Sequence, residues 1–412
     1  MRTLLLLLTA LGVCGSIKAQ NDFLHDLLLQ KASPALKAVL DRPDSFRYQL
    51  IYTRIDRNQN NEPKFEHFTL RVDKNEYFNP ASTVKMPLAF LALEKLNNMK
   101  VRGVDKYTAL AIDSAYNRQT RVMEDASSST GRPSIAHYVK KVFLVSDNDA
   151  YNRLYEFLGQ QYLNQQLWNK GYKDMRITRR FVTMNEDENR HTNPVRFLGS
   201  ASELVYEQPA AVSRVKFDFS KQVLIGHAHY NREEQLISAP MDFTTHNNAP
   251  LQDLQQLLQS VLFPESVSRK QRFNLTEDDY RLLYRYMSEL PSESKHPRYD
   301  TAEFFDSYTK FFLFKDGRRK IPKHIRVFNK TGWSYGFLTD VAYIVDFENK
   351  VEFMLSGVIY VNSDGVLNDD KYEYKETGYP FFREVGEIIY EYELSRPRKY
   401  APDLSRFRVD YD

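Results

Sequence analysis

Apolar residues follow the spacing of β-strands near both ends of the chain and the spacing of helices between those ends. Strand-like runs rich in Val, Ile, Tyr and Phe occur twice in the first part of the chain and three times in the last. These runs span 46–57, 64–72, 325–332, 336–347 and 351–361. Helical apolar spacing marks 22–40, interrupted at Pro34, and 379–394. Strands at both ends with helices between them predict one discontinuous α+β domain.

The middle of the chain is predicted to be helical, with two larger additions. The predicted helices span 82–96, 149–159 and 251–262, and the capping-box pattern of Thr276 and Asp279 opens another. The first helix is apolar on every side between 86 and 93, which is typical of a buried helix. Additional chain is concentrated at 189–242 and 292–320. Strand-like segments at 214–219 and 222–230 predict a β-rich flap in the first addition.

The motif Ser82-Thr83-Val84-Lys85 opens the most apolar of these helices. Positions i and i+3 of a helix share a face, so Lys85 is expected beside Ser82. A serine hydroxyl needs an adjacent base to become a good nucleophile. Burial lowers the pKa of a lysine and leaves a neutral amine that can act as that base. The motif predicts a nucleophile and its base; the alternative is a helix N-cap followed by a solvated lysine.

Two fixed tripeptides follow in order, Ser146-Asp147-Asn148 and Lys330-Thr331-Gly332. The first precedes a predicted helix, so Asp147 also suits a helix cap. Ser146 has the chemistry to relay a proton to a leaving nitrogen, and the Asn148 amide to bind Lys85 and a substrate carbonyl. The second tripeptide ends a predicted strand, and its alternative interpretation is a strand end turning into a loop.

In this order the three motifs form the signature set of serine β-lactamases and penicillin-binding proteins. From about residue 22 to 394 the chain resembles the class A β-lactamase branch of that family, with an enlarged middle. The resemblance implies a five-stranded antiparallel sheet flanked by helices, with a helical subdomain that holds the nucleophile. It also implies that Lys330 and Thr331 hold a substrate carboxylate. Beside Gly332, the backbone N–H of Trp333 would pair with that of Ser82 as an oxyanion hole.

One departure from the family pattern concerns deacylation. Class A enzymes carry a glutamate on the Ω-loop that positions the hydrolytic water, and here that place holds Phe181 or Val182. Three acidic residues follow a few positions later: Glu186, Asp187 and Glu188. If none of them replaces the missing base, the acyl-enzyme forms and then turns over slowly.

The predicted activity is therefore cleavage of an amide, the β-lactam ring, through an acyl-serine intermediate. Two alternatives remain open. The first is a different hydrolytic activity, either a D-Ala-D-Ala peptidase or transpeptidase or an esterase. The second is a binding or sensor module that is acylated by a β-lactam and does not release the product. The expected partner is a small β-lactam or a cell-wall peptide, the expected state is a monomer, and no cofactor is required.

The N-terminus predicts export. Met1-Arg2 is a short positive segment, 4–13 is apolar, and Ala19 suits cleavage before Gln20. Ten apolar residues are too few to span a bilayer, which takes about 20. The prediction is a signal peptide at 1–19 and a periplasmic protein at 20–412. A lipid anchor on Cys14, the chain's one cysteine, is the alternative.

The mature chain is predicted to be one serine hydrolase domain. Its sheet subdomain comprises 20–75 and 321–400, and its helical subdomain with the insertions comprises 76–320. Removal of Arg2 and Lys18 with the signal peptide lowers the net charge from +3 to +1. This near-neutral balance gives no support for nucleic-acid binding.

A pair of histidines and a run of basic residues are two further patterns in the chain. His227 and His229 share one face of a predicted strand, and exposed strand histidines are a better interpretation than a metal site. The basic run 315–320 is predicted to be a solvated loop, with contact to an anionic surface as the alternative.

Overall fold

The computed structural model describes residues 23–411. Its central element is a five-stranded antiparallel sheet with strand order β12-β13-β14-β1-β2, built from both ends of the chain. The strands of this sheet are β1 (Gln49–Arg57), β2 (Pro63–Leu70), β12 (Ile325–Ser334), β13 (Phe337–Asp346) and β14 (Val351–Tyr360). The predicted α+β class, the five-stranded sheet and its discontinuous origin are confirmed.

Helices cover both faces of the sheet. They are α1 (23–31), α2 (Pro34–Leu40), α3 (Pro43–Phe46), α4 (Lys85–Met99), α5 (Ile135–Leu144), α6 (Asn148–Leu158), α7 (Gln160–Lys170), α8 (Glu186–Arg190), α9 (Leu251–Leu262), α10 (Glu277–Ser288) and α11 (Tyr379–Ser395). The side chains of a strand alternate between the two faces of a sheet. Accordingly Phe328 and Val341 pack into the core around α4, whereas Val327 and Ala342 pack into the core around α11.

Most predicted boundaries lie close to the observed ones. The helix predicted at 251–262 matches α9, and Thr276 caps α10 in a capping box with Asp279. The strand predicted from 46 begins at Gln49, because Pro43–Phe46 forms the short helix α3. The helix predicted at 82–96 is divided: Ala81–Val84 is a 3₁₀ turn, and the α-helix proper begins at Lys85.

The insertion at 189–242 contains many short strands in small sheets, so the β-rich prediction is confirmed in outline. The remaining strands are β3 (Ala109–Ile112), β4 (His191–Thr192), β5 (Val195–Leu198), β6 (Leu204–Gln208), β7 (Ala211–Val212), β8 (Leu224–Ile225), β9 (Ala228–Tyr230), β10 (Leu236–Ile237), β11 (Met241–Asp242) and β15 (Val366–Leu367). The strand predicted at 214–219 was wrong, since that segment is irregular. The strand predicted at 222–230 is broken into β8 and β9 by Gly226, whose φ is 74°.

The segment 292–320 is integrated into the fold. Phe311 and Phe312 pack against Phe382 of α11, and their backbone N–H groups donate to Asp340 of β13. The prediction that the basic run at 315–320 is a solvated loop was wrong for Lys315, which is buried among aromatic rings, although Arg318, Arg319 and Lys320 are exposed.

Within residues 23–411, no helix is long and apolar enough to cross a membrane. The predicted signal peptide and Cys14 lie outside the described residues.

Candidate active site

The nucleophile turn is a short 3₁₀ segment that leads into α4. Successive turns of a 3₁₀ helix hold three residues, so the side chains of Ser82 and Lys85 lie on the same side of the turn. Ala81, the first residue of the turn, has a left-handed φ of 44°, a strained conformation for a residue with a Cβ. The Asn79 side chain accepts a hydrogen bond from Ala81 N at 2.9 Å and supports that backbone. The turn leaves Ser82 partly exposed while its neighbours are buried.

Lys85 is fully buried and surrounded by hydrogen-bond acceptors. Its Nζ donates to Asn148 Oδ1 at 2.7 Å, to the Ser146 carbonyl, and to Ser146 Oγ at 3.3 Å. Burial, and secondarily the nearby positive charge of Lys330, hold the pKa of Lys85 well below its ordinary value. The lowered pKa favours the neutral amine, the form that a general base needs, on the same face as the Ser82 hydroxyl.

Ser146 joins Lys85 to the third motif. Its backbone is left-handed, with φ 60°, and its side chain is buried. Lys330 Nζ donates to Ser146 Oγ at 2.9 Å and to the Thr331 carbonyl at 2.7 Å. Burial lowers the pKa of Lys330 to about 7. A continuous path of polar contacts thus runs from Lys85 through the Ser146 hydroxyl to Lys330.

Asp147 caps the N-terminus of helix α6, as the sequence indicated. Its Oδ1 accepts from Ala150 N at 2.7 Å at the start of α6. That cap fixes the first turn of α6 and so places Asn148 against Lys85. The Ser146-Asp147-Asn148 sequence therefore combines two residues that contact the buried lysine with one that positions the helix.

Strand β12 forms the edge of the sheet and lies directly against the nucleophile turn. At Gly332 an added Cβ would lie 2.7 Å from Pro80 O and 2.8 Å from Ser82 N, both backbone atoms. The close approach of strand and turn therefore requires glycine at this position. Thr331 is fully buried, and its Oγ1 has no hydrogen-bond partner among the described residues. Trp333 follows on the same strand, and its ring packs on Tyr308 with centroids 5.7 Å apart.

Phe181 occupies the place opposite Lys85. Lys85 Nζ lies 5.1 Å from the centroid of the Phe181 ring, and Phe181 N donates to Asn152 Oδ1 at 2.8 Å. Val182 is half exposed. Of the two residues considered from the sequence, Phe181 is the one that faces the buried lysine.

The three acidic residues that follow have other partners. Glu186 pairs with Arg190 at 2.7 Å, and Asp187 accepts from the Tyr116 hydroxyl. Glu188 accepts from Asn185 N at 2.8 Å in the capping box of α8. Each carboxylate is therefore engaged in α8 or its surroundings.

A polar network beneath β12 was missed by the sequence analysis. Lys310 is buried, and its Nζ donates to Asn329 Oδ1 at 2.7 Å and to Val327 O at 2.9 Å. Asn329 Nδ2 in turn donates to Asp340 at 2.8 Å, and burial raises the pKa of Asp340 to about 7. The available signal was Asp340, a charged residue in the interior of a mostly apolar strand. This network supports the strand that carries Lys330.

The histidines of the insertion are dispersed. His229 Nδ1 contacts Ala239 O at 2.9 Å, and His227 is exposed near Gly365. Across 23–411, no group of three or more His, Cys, Asp or Glu side chains is arranged to hold a metal ion.

The part of the chain that carries the first two motifs is similar to a known protein family. Residues 35–225 match the model of the Beta-lactamase enzyme family. The matched part contains the Ser82 and Ser146 motifs and ends before Lys330. The match supports a hydrolase of the serine β-lactamase and transpeptidase-like family, without assigning class A. No curated protein matches the chain.

Solved β-lactamase structures resemble the chain at low identity. The β-lactamase of Sphaerobacter thermophilus is 12% identical, with a TM-score of 0.47 over 88% of this chain and 98% of that one. The β-lactamase of Xanthomonas campestris pv. campestris is 13% identical, with a TM-score of 0.46 over 91% and 97%. An ancestral class A β-lactamase is 16% identical, with a TM-score of 0.44 over 86% and 98%. Similarity of this extent does not transfer an activity.

Proposed function

We propose that this protein is an exported serine hydrolase that attacks an amide carbonyl through an acyl-Ser82 intermediate. The observation that carries the proposal is the buried Lys85 beside Ser82, linked through the Ser146 hydroxyl to Lys330. Burial lowers the pKa of Lys95 as well, so a lowered pKa alone does not distinguish a base from a structural lysine. A general base also needs the nucleophile beside it, and Lys85 has Ser82 on the same face.

In the first half-reaction the Lys85 amine takes the Ser82 proton as Ser82 Oγ bonds to the carbonyl carbon. The resulting Lys85 ammonium keeps its hydrogen bonds to Asn148 Oδ1 and the Ser146 carbonyl. The carbonyl oxygen becomes negative and is stabilised by the backbone N–H groups of Ser82 and Trp333. The close packing of Gly332 on Ser82 N supports this assignment, because it brings β12 up to the nucleophile turn.

The leaving nitrogen needs a proton as the C–N bond breaks. The Ser146 hydroxyl donates it and is resupplied from the lysines on either side. Lys330 and the unpaired Thr331 hydroxyl offer a cation and a donor for a substrate carboxylate. These roles suit a β-lactam, whose carboxylate lies beside the nitrogen of the ring.

The second half-reaction has no equally clear base. The family resemblance implies a water-activating carboxylate at position 181 or 182, where the Phe181 ring faces Lys85 instead, and the nearby acidic residues have other partners. We infer that the acyl-enzyme is long-lived. The lack of a clear deacylation base favours a second candidate function, a β-lactam-binding or sensor module that is acylated without efficient turnover. A D-Ala-D-Ala peptidase, a transpeptidase or an esterase would instead need an acceptor that releases the acyl group.

Three measurements on the mature protein separate these functions. Nitrocefin should give a burst equal to the enzyme concentration followed by slow release, if acylation outpaces deacylation. Sustained fast turnover would identify a β-lactamase, whereas D-Ala release from a D-Ala-D-Ala peptide would identify a peptidase. Absence of any covalent adduct with penicillins and with a broad serine-hydrolase probe would refute the proposed chemistry.

Export is a separate part of the proposal and has its own test. The secreted form should begin at Gln20, which mass spectrometry of protein from the periplasmic fraction would report. A lipid-modified N-terminus at Cys14 would support the anchored alternative instead.

A further inference from the structure

The geometry of the cleft gives the acyl side of a substrate a direction. A carboxylate at Lys330 and Thr331 places one end of the substrate at that part of β12, and the reacting carbonyl lies at Gly332 beside Ser82. The acyl arm must then continue along the strand edge toward Ser334 and Tyr335. At a strand rise of about 3.3 Å per residue, the end of β12 at Ser334 lies roughly 7 Å beyond Gly332, and Tyr335 opens the turn that follows.

A group of cations stands at that end of the cleft. Arg179, two residues before Phe181, has a half-buried guanidinium whose Nη1 lies 3.0 Å from His246 Nε2. Burial and the neighbouring arginines lower the pKa of His246 to about 3, so this imidazole is neutral and accepts the hydrogen bond. Neutral histidine leaves the charge of Arg179 uncompensated. Among residues 23–411, no carboxylate lies within ion-pair distance of Arg179.

Arg232 adds a second positive charge from the insertion. It lies on the exposed turn between β9 and β10, close enough for its charge to add to burial in lowering the pKa of Arg179 and to oppose the burial that raises the pKa of Tyr335. His246 and Tyr335 pack on the same ring, that of Phe243, with centroids 4.7 and 5.4 Å away, so Arg179, which contacts His246, stands close to Tyr335 at the end of β12. In the described part of the chain, Arg232 likewise has no carboxylate partner within ion-pair distance.

The other charged groups nearby have separate contacts. Arg176 donates to Thr244 O at 2.8 Å and to Asp218 O at 2.9 Å. Asp242 accepts from Thr244 N at 2.8 Å, and Asp370 acts on Tyr335 through its charge alone. The cationic ends of Arg179 and Arg232 remain available. An anionic group in this place is the natural complement, because a half-buried unpaired guanidinium binds carboxylates strongly.

We propose that Arg179 and Arg232 form a binding site for a carboxylate at the far end of the substrate's acyl arm, so that the preferred substrates are acidic acyl donors. The proposal rests on the acyl-Ser82 function. It also gives the insertion at 189–242 a role, since this segment supplies Arg232.

The test uses matched penams on the full mature protein. Aminopenicillanic acid is acylated with glutaric, adipic or pimelic acid, and each product is paired with its terminal methyl amide. The measured quantity is the second-order acylation constant. For the arm of correct length, the acid should react about tenfold faster than its amide, as a charge-assisted hydrogen bond provides. Arg179→Gln keeps a donor toward His246 and should reduce this ratio to about one.

Two further variants complete the test. Arg232→Glu should make the acidic arm slower than the amide, whereas Arg269→Gln, an exposed arginine after α9, should leave the ratio unchanged. Equal rates for acid and amide in wild type at every arm length, or an unchanged ratio in both Arg179→Gln and Arg232→Glu, would overturn the proposal. Acylation by the methyl amides reports the proposed function separately, so the failure of one is distinguishable from the failure of the other.

Discussion

Replacing Phe181 with glutamate tests the account of slow deacylation. The Phe181 ring centroid lies 5.1 Å from Lys85 Nζ, and the ring supplies no proton acceptor. A carboxylate at that place would polarise a water beside the acyl carbon. Because a positioned general base contributes roughly 10²–10⁴-fold, we expect Phe181→Glu to shorten the acyl-enzyme lifetime by about 100-fold or more.

The same substitution should change acylation in the opposite direction. Two unit charges about 5 Å apart interact by about 3 kcal/mol at an effective dielectric constant of about 20. This attraction favours the ammonium and raises the pKa of Lys85 by about two units. The acid limb of the acylation profile should therefore move to higher pH, because less neutral amine is available at a given pH.

Stopped-flow measurements with nitrocefin resolve both effects. The burst amplitude and rate report acylation, and the steady-state slope reports release. Phe181→Gln is the matched control, since it has a similar shape to glutamate without its basicity. The reasoning is refuted if glutamine and glutamate accelerate release equally. It is also refuted if wild type shows no burst and Glu186→Gln or Glu188→Gln abolishes its turnover.

Three further predictions concern the base, the carboxylate site and the strand packing. Lys85→Ala should slow acylation roughly 10²–10⁴-fold. The control variant Lys95→Ala removes another lysine of lowered pKa from the same helix and should leave the acylation rate unchanged. Equal acylation rates in the two variants would exclude Lys85 as the base. The acylation rate should rise with pH as Lys85 loses its proton and should fall above about pH 7 as Lys330 loses its own proton. Arginine stays charged at higher pH, so Lys330→Arg should extend the alkaline limb of this profile. An alkaline limb that Lys330→Arg leaves unmoved would contradict the role of Lys330. Gly332→Ala should slow acylation by about 100-fold because its Cβ meets backbone atoms of the nucleophile turn, and a wild-type rate with an unchanged melting temperature would show that this packing is unimportant.

The fold and the three motifs were predictable because both leave strong local patterns. The five long strands alternate or run apolar over eight or more residues, so their positions could be identified before their pairing was known. The motifs place Ser82, Ser146 and Lys330 far apart in sequence. Their contacts through Lys85 and the Ser146 hydroxyl follow only once the sheet and α4 are assembled.

Long-range packing set the limits of prediction. Two-residue strands such as β8 carry too little pattern to be recognised, and β15 pairs with β9 from more than a hundred residues away. The burial of Lys310 and Lys315 depends on how 292–320 folds beneath β12, which composition does not report. The choice of Phe181 over Val182 as the neighbour of Lys85 also needed three-dimensional geometry.

The central claim is that Ser82 forms the acyl-enzyme, and mapping a covalent adduct tests it most directly. Mature protein incubated with a fluorescent penicillin, alongside a broad serine-hydrolase probe, should gain one label per chain. Peptide mass spectrometry should place that label on Ser82, and Ser82→Ala should abolish it while keeping the wild-type melting temperature. Equal labelling of the folded Ser82→Ala variant, or an adduct mapped to another residue, would contradict the account.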